Sequence, residues 1–424
     1  MVDAGTLAQP KTAGPRARSR RTLDPVSRRS ATLAAGTAVL AALLLGGCSA
    51  GSSGSSDDPA DPAPARLAWR EVQLPVPPGP VGRVAVRDAT SCGGTWYVVG
   101  AVLGEDGASR PAAWTSDDGS TWRSLPAVGS EYWPQRQILT SVACRDGRIA
   151  AIGAKSGGAH GLPRTSSWYQ RPDGTLVDVP AGMELYGGPS AVSVNRIAAG
   201  PAGWLISGNR RTGAAVWASA DATDFRLVDD DPQLSSDDGH QTTALDEVHD
   251  GTAWALVGRA AVPGRLGPVP LAWTSSDGTR WLREPVPAGD RQYADLQRVA
   301  ATGRGLVAVG IRGERFGAWT RRDDRWQLGK AFGALDPDRR GAPFVSGLAA
   351  TADGAVVSVS DGTRFRLWAQ DASGRWRPVA TPTRPTATGD AQLTVAATPD
   401  DVLLLSDDGT SGRVWLAPWH RLRG

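Results

Sequence analysis

The chain repeats one pattern of apolar and polar positions, and tryptophan marks this pattern most clearly. Indole side chains recur about 46 to 56 residues apart, and a second large apolar side chain follows most of them seven or eight residues later. The spaced tryptophans are Trp114, Trp168, Trp217, Trp273, Trp319, Trp368 and Trp415. The second side chains are Trp122, Leu176, Phe225, Trp281, Trp326 and Trp376. A repeated structural unit therefore organises the chain.

Each unit has the pattern of four short strands. A strand of small residues, such as 141–144, is followed by a tight turn and an apolar strand, such as 306–310. Near-continuous apolar runs indicate burial on both faces. The spaced tryptophan lies on the third strand, and the second large side chain begins the fourth. The pattern predicts an all-β fold, a seven-bladed β-propeller of four-stranded antiparallel blades over residues 67–424.

The seventh unit lacks a spaced partner after Trp415, so its fourth strand must come from elsewhere. Residues 67–75 carry the fourth-strand pattern, and we expect this N-terminal strand to close the last blade. The alternative is a local strand at 419–422, which Pro418 makes a poorer candidate.

The turn between the third and fourth strands carries the most specific motif, Ser-x-Asp-Gly-x-Thr-Trp. A short polar side chain can accept hydrogen bonds from the turn amides, and glycine supplies unusual dihedral angles. The motif residues are Ser116, Asp118, Gly119 and Trp122; Ser275, Asp277, Gly278 and Trp281; and, in a looser copy, Ser219, Asp221 and Phe225. This turn resembles the Asp-box of sialidase-like (BNR-repeat) propellers, a resemblance that implies the fold more strongly than any reaction.

The first 47 residues have the features of a bacterial lipoprotein signal peptide. They combine arginines with a short apolar run, and small residues precede Cys48. The 45–48 segment resembles a lipobox, which implies cleavage before Cys48, lipidation of its thiol and anchoring to the outer face of the cytoplasmic membrane. Arg28 and Arg29 leave Sec and twin-arginine export both open. Residues 48–66 then form the lipidated end and a flexible Ser/Gly/Asp/Pro linker.

Charge and histidine spacing argue against nucleic-acid binding and against a metal or cofactor site. The formal net charge of the chain is +3, but the first 47 residues alone carry +5. The remainder is therefore near −2, and nucleic acid is not an expected partner. His160, His240, His249 and His420 stand alone, and we expect no metal and no cofactor. Cys92 and Cys144 occupy equivalent positions in successive units, where a disulfide and buried free thiols are both open.

Aromatic and charged residues gather in the connections between units, which should share one rim of the propeller. Such mixed surfaces are typical of contacts with proteins or glycans. The candidates are Glu131, Tyr132, Trp133, Arg136, Glu184, Tyr186, His240, Arg291, Tyr293, Arg339 and Arg340. The alternative is that these rings only plug the channel mouth or pin the connections. We expect a monomeric, non-catalytic binding or scaffold module for a cell-envelope protein or glycan, held to the membrane only by its lipid.

The resemblance also raises a second function, an exo-glycosidase (sialidase-like) or other glycan-processing enzyme. Hydrolases of that family bind a sugar carboxylate with three arginines and attack through a tyrosine paired with a glutamate. Tyr132 with Glu131, or Tyr186 with Glu184, could imitate the pair, but spacing assigns no arginine triad. Three converging arginines beside such a pair would favour the enzyme.

The lipid anchor leads to a test by fractionation. A Cys48→Ser protein lacks the thiol that would carry the lipid, so we expect it to leave the membrane pellet for the soluble fraction. A Ser49→Ala protein should stay in the pellet. Equal membrane retention of both proteins would contradict the anchor.

Overall fold

The computed structural model describes residues 62–157, 161–289 and 293–419, so the signal peptide, Cys48 and most of the linker lie outside the described residues. Two short strands come first, β1 (Ala65–Arg66) and β2 (Arg70–Val72). Blade one contains β3 (Arg83–Cys92), β4 (Thr95–Leu103), β5 (Ser109–Ser116) and β6 (Arg123–Leu125). The connecting strand β7 (Ala127–Val128) and a 3-10 turn (Pro134–Arg136) lead to blade two, with β8 (Ile138–Arg145), β9 (Arg148–Lys155), β10 (Arg164–Gln170) and β11 (Leu176–Asp178).

The later blades repeat this order. A one-turn helix, α1 (Met183–Tyr186), precedes blade three, with β12 (Ala191–Gly200), β13 (Gly203–Arg210), β14 (Gly213–Ser219) and β15 (Arg226–Val228). Blade four contains β16 (Gln241–His249), β17 (Trp254–Ala261), β18 (Val269–Ser275) and β19 (Leu282–Glu284). Blade five contains β20 (Arg298–Thr302), β21 (Gly305–Arg312), β22 (Arg315–Arg322) and β23 (Arg325–Leu328), followed by β24 (Phe332–Ala334). Blade six contains β25 (Phe344–Ala350), β26 (Ala355–Ser360), β27 (Phe365–Gln370) and β28 (Trp376–Ala380). Blade seven contains β29 (Gln392–Ala397), β30 (Asp401–Asp407) and β31 (Gly412–Pro418).

Seven antiparallel sheets form a ring, which confirms the predicted seven-bladed β-propeller. The first strand of every blade contacts the first strand of the next, from β3 through β8, β12, β16, β20 and β25 to β29. Strand β29 in turn contacts β3, so the cycle of inner strands returns to its start. The described part of the chain contains almost no helix.

The fourth strand of blade seven comes from the beginning of the described chain. Strand β2 pairs antiparallel with β31, and Glu71 lies opposite Trp415. The indole of Trp69 donates a 2.8 Å hydrogen bond to the carbonyl of Ala380 in blade six. The same short segment therefore contacts two blades.

Three short strands lie outside the four-strand repeat, and the sequence pattern did not predict them. Strand β7 pairs parallel with β11, β1 pairs parallel with β28, and β24 pairs with β22. Each is only two or three residues long, too short to show a period. The first two cover the outer edges of blades two and six, which would otherwise offer unpaired backbone groups.

The third-strand tryptophans fill the spaces between blades. All seven are buried, and Trp114, Trp168, Trp217, Trp273 and Trp319 have no exposed surface. Four of their indole N–H groups donate to carbonyls of the connection that enters the same blade. The pairs are Trp114 with Pro75, Trp217 with Leu185, Trp273 with Gln233 and Trp319 with Pro287, at 2.7 to 2.8 Å. The repeated tryptophans therefore fill the space between blades, and four of them also hold the connection that leads into their own blade. We call this second contact the indole lock.

The turns between third and fourth strands have the geometry that their motif residues predict. The carboxylate of Asp118 accepts hydrogen bonds from the amides of Ser120 and Thr121, each at 2.7 Å. Gly119 and Gly278 have positive φ angles of 67° and 76°. The looser copy places Ala222 at this position with φ 67°, a conformation that side chains disfavour. The motif residues thus build a turn.

Cys92 and Cys144 form a disulfide between the inner strands of blades one and two. Their Cα atoms are 5.7 Å apart, and the sequence separation is 52 residues. Because the loop that it closes is long, this bond should stabilise the fold by about 4 kcal/mol. It fixes the first two blades next to each other.

The indole lock can be tested with two phenylalanine variants in neighbouring blades. Trp319→Phe removes packing volume and also the bond to Pro287, whereas the buried Nε1 of Trp368 has no partner in the described residues. We expect Trp319→Phe to lower the free energy of unfolding by about 1 to 2 kcal/mol more than Trp368→Phe, because only the first leaves a carbonyl unpaired. Denaturant unfolding measures the difference. Equal losses would mean that the indoles act by volume alone.

Candidate functional site

The two faces of the ring carry different kinds of segment. Because successive strands of a blade run in opposite directions, their connections alternate between the faces. We call the face that carries the blade-to-blade connections and the loops between second and third strands the loop face. The other face, the turn face, carries the hairpins between first and second strands and the turns between third and fourth strands.

The turn face has cavities, but two aspartates that line one of them already accept hydrogen bonds from backbone amides. A cavity of about 450 Å³ lies between blades three and four, lined by Trp204, Trp254, Asp221 and Asp277 among others. Asp221 accepts a 2.8 Å hydrogen bond from the amide of Thr223, which lowers the pKa of that carboxyl. Asp277 likewise accepts from the amides of Thr279 and Arg280. These carboxylates stabilise turns, and nothing here assembles a reactive group.

The centre of the ring holds a network of buried charges that the sequence did not predict. Arg196 of blade three bridges Asp88 of blade one, at 2.8 Å, and Asp246 of blade four, at 3.1 Å. Each aspartate also accepts a backbone hydrogen bond from the next blade, Asp88 from Val142 and Asp246 from Val299. Five successive blades are thereby joined through one arginine and two carboxylates.

Glu247 is next to Asp246 in the chain, but its carboxylate makes no hydrogen bond to this network. Both of its carboxylate oxygens are buried and make no hydrogen bond of ordinary geometry. Burial, together with the neighbouring Asp246 carboxylate, raises the pKa of Glu247 to about 8. Burial and the charge of Arg196 lower the pKa of Arg298 to about 10. The raised pKa favours the protonated form of Glu247, which limits the negative charge of the network.

On the loop face, three predicted residues form one cluster. The rings of Tyr132 and Trp133 meet edge to face at 5.2 Å, and the Arg136 guanidinium lies 3.9 Å from the centre of the Tyr132 ring. Arg164, which was not among the predicted residues, lies 5.6 Å from the Trp133 ring. Tyr132 is 59% exposed. The cluster presents a rigid ring to solvent beside two guanidinium groups.

Two other predicted tyrosines belong to the interior. Tyr186 is buried against Trp217, with ring centres 5.6 Å apart, and burial raises the pKa of its hydroxyl. Tyr293 is half-buried, and its hydroxyl donates to the buried Asp295 at 3.2 Å. For these residues the alternative interpretation, pinning of the connections, fits the geometry.

The remaining candidates are dispersed. Glu131, Glu184 and Arg340 are exposed, and Arg291 lies outside the described residues. His240 contacts Asp237 at 3.2 Å, and Arg339 pairs with Glu314 at 3.0 Å. The structure therefore brings together Tyr132, Trp133 and Arg136 and does not gather the others with them.

Exposed apolar side chains are concentrated on the loop-face segments. Among the described residues, nine large apolar side chains are exposed, and eight lie in connections, loops or the beginning of an inner strand on this side. These eight are Val76, Val81, Val128, Tyr132, Leu162, Met183, Val192 and Leu266. The ninth, Leu282, is on the outer strand β19. Several follow or precede glycine or proline, as Val81, Leu162 and Leu266 do, a signal that could have identified them.

The two tyrosine–glutamate pairs that were considered for hydrolysis differ in exposure, since Tyr132 and Glu131 are both exposed. Tyr186 is buried, whereas Glu184 is exposed. Arg83 and Arg87 both bind Asp407, and Arg196 binds two aspartates, so these arginines are neutralised by the protein's own carboxylates. Within residues 62–157, 161–289 and 293–419, no three His, Cys, Asp or Glu side chains are grouped so that they could hold a metal ion. No helix in those same segments is long and apolar enough to cross a membrane.

Comparison with known proteins finds only distant structural likenesses. No protein-family model and no curated protein matches the chain. A solved structure of U3-55K is 12% identical, covering 82% of this chain and 98% of that one, with a TM-score of 0.49. The β-propeller domain of the Trilobed protease from Pyrococcus furiosus is 12% identical, covering 78% and 93%, with a TM-score of 0.45. A glycosyl hydrolase from Bacteroides ovatus is 14% identical, covering 59% and 87%, with a TM-score of 0.34. These likenesses concern the fold alone.

Together, the strand pairing and the ring of inner strands define the chain as a seven-bladed β-propeller. Its two faces are chemically distinct, with self-satisfied acidic turns on one and exposed apolar side chains on the other.

The buried Glu247 predicts a pH dependence of stability. Its folded-state pKa lies above that of the unfolded chain, so folding retains a proton between about pH 4.5 and pH 8 and stability falls as pH rises through that window. The slope should approach about 1.4 kcal/mol per pH unit for one proton. Glu247→Gln should match the wild type near pH 4.5 and exceed it at pH 8, whereas exposed Glu131→Gln should not. Parallel pH profiles for wild type and Glu247→Gln would contradict this assignment.

Proposed function

We propose that the chain is a lipid-anchored, extracytoplasmic β-propeller that binds a cell-envelope protein or glycan through its loop face, without catalysing a reaction. We also assign its repeats to the sialidase-like (Asp-box) class, on the basis of the turn residues and their hydrogen bonds. The lipid would hold the ring at the outer face of the membrane, and the linker would let it turn toward a partner.

One observation carries the binding role: the exposed apolar side chains are distributed unequally between the faces. Exposed apolar surface is unfavourable in water. An excess of it on one side of a protein therefore favours an interaction site on that side. Val81 and Leu266 are 95% and 94% exposed, respectively, and both lie in loop-face segments. The only exposed large apolar side chain elsewhere in the described residues, Leu282, is on an outer strand.

The Tyr132 cluster supports the same surface. Aromatic and arginine side chains contribute strongly to binding interfaces because they bury much area with little loss of conformational freedom. The contacts with Trp133 and Arg136 already restrict the Tyr132 ring. Binding there would cost less entropy than binding to a freely rotating side chain.

Site-specific photo-cross-linking in cells tests this function. A benzophenone amino acid replaces Tyr132 or Leu266 on the loop face, or Leu282 on blade four, which is 66% exposed and serves as the matched control. We expect discrete adducts from the two loop-face positions and none from position 282. Mass spectrometry then identifies each adduct as polypeptide or glycan.

Two outcomes would contradict the proposal. Adducts of equal yield from position 282, or none from positions 132 and 266, would remove the loop face as the binding surface. Turnover of fluorogenic sialosides that is lost on mutating Tyr132 would instead favour the glycosidase.

A further inference from the structure

A groove on the loop face lies beside the Tyr132 cluster, at blade one and the connections that enter and leave it. It has a volume of about 560 Å³, within the range of roughly 300 to 1,000 Å³ that is usual for ligand clefts. Its sides are the segment 75–82, which we call the proline strap, the β4–β5 loop at 104–108, and the 3-10 turn Pro134–Arg136. Val102 of β4 also lines it.

The proline strap is a rigid wall. It contains Pro75, Pro77, Pro78 and Pro80, and proline restricts both its own φ and the residue before it. Arg110 donates to the carbonyls of Pro77, Pro78 and Pro80 at 2.9, 3.1 and 3.3 Å. The backbone is thus held from beneath, while Val81 remains almost fully exposed above it.

The opposite wall is fixed by equally specific contacts. The hydroxyl of Ser109 donates to the carbonyl of Arg136 at 2.5 Å, and the ammonium of Lys155 donates to the same hydroxyl at 3.1 Å. The Arg136 side chain donates to the carbonyl of Tyr132 at 3.1 Å while its guanidinium covers one face of that ring. A groove with two fixed walls loses little entropy on binding.

Charges of opposite sign line different segments of the groove. Glu105 and Asp106 are exposed on the β4–β5 loop and form no ion pair in the described residues, although Asp106 accepts a 2.9 Å hydrogen bond from the amide of Ala108. Arg136, on the other wall, is likewise without a carboxylate partner there. Val81 and Val102 add aliphatic surface to the same lining, and the Arg110 guanidinium that holds the proline strap is also part of it. Acidic and basic groups on different segments of one groove set the direction in which a complementary ligand binds.

We propose that this groove binds an extended peptide segment of a partner protein. The segment would place an apolar side chain between Val81 and Val102, a basic residue against Glu105 and Asp106, and an acidic residue against Arg136. A peptide is favoured over a sugar, because no aromatic side chain is among the residues that line this groove and a sugar ring would have no ring face to stack on. This inference rests on the proposed function and narrows its ligand from protein or glycan to protein.

Peptide display on the full-length protein, purified from membranes in detergent, tests the charge pattern. A random twelve-residue library is selected against the wild type, the Glu105→Lys/Asp106→Lys protein and the Arg136→Glu protein. The wild type should enrich an apolar residue flanked by one basic and one acidic residue. The double lysine protein should exchange the basic preference for an acidic one and bind the original peptide about tenfold more weakly. Arg136→Glu should exchange the acidic preference for a basic one.

The matched control is Asp230→Lys/Asp238→Lys, which reverses two exposed acids in another connection on the same face. It should enrich the wild-type peptide pattern. Unchanged thermal unfolding midpoints would show that the exposed substitutions leave the fold intact.

Each of the following outcomes contradicts peptide binding in this groove. Peptides that enrich with no change of pattern in the charge-reversed proteins would place binding elsewhere. If no peptide is enriched and a glycan adduct forms at position 132, the groove does not bind a peptide, and the proposed function still holds. No enrichment and no adduct at positions 132 or 266 would refute both.

Discussion

The fold depends on wedging tryptophan between neighbouring sheets. A propeller blade is only four strands wide and is buried on both faces, so its stability comes mostly from the blades beside it. The third-strand indoles fill these spaces, and four of them also bind the backbone of the connection that enters the blade. One residue type thus supplies volume, directional bonding and the position of the loop-face segments. The inner strands add a second set of links, in which Asp88 and Asp246 accept amides from the following blade.

This arrangement separates stability from recognition. The turn face uses short polar side chains to satisfy its own backbone, and Asp118, Asp221 and Asp277 are occupied in this way. The central channel uses its arginines to neutralise buried carboxylates. The loop face is different, because it leaves Val81, Tyr132 and Leu266 exposed, and Trp114 and Arg110 hold the segment that carries Val81. A rigid surface with unburied apolar groups is suited to binding.

The sequence predicted the fold well because the repeat is a packing signal that one chain displays seven times. Trp114 to Trp415 mark the blades, and residues 67–75 carry the strand that pairs with β31. The site was harder to predict, because spacing shows which residues lie in a connection but not which way they point. Tyr132 and Tyr186 occupy similar connections, yet one is exposed and the other lies against Trp217. The Asp88–Arg196–Asp246 network joins residues of different repeats, so no local pattern reveals it.

Hydrogen exchange of the indole N–H groups, followed by NMR with tryptophan-to-phenylalanine assignments, tests the central claim most directly. If the tryptophans lock the ring, the N–H groups of Trp114, Trp217, Trp273 and Trp319 should exchange only through cooperative unfolding, with similar free energies. Exchange of these four at the rate of free indole, each independently of the others, would show that the connections are not held and would contradict the account.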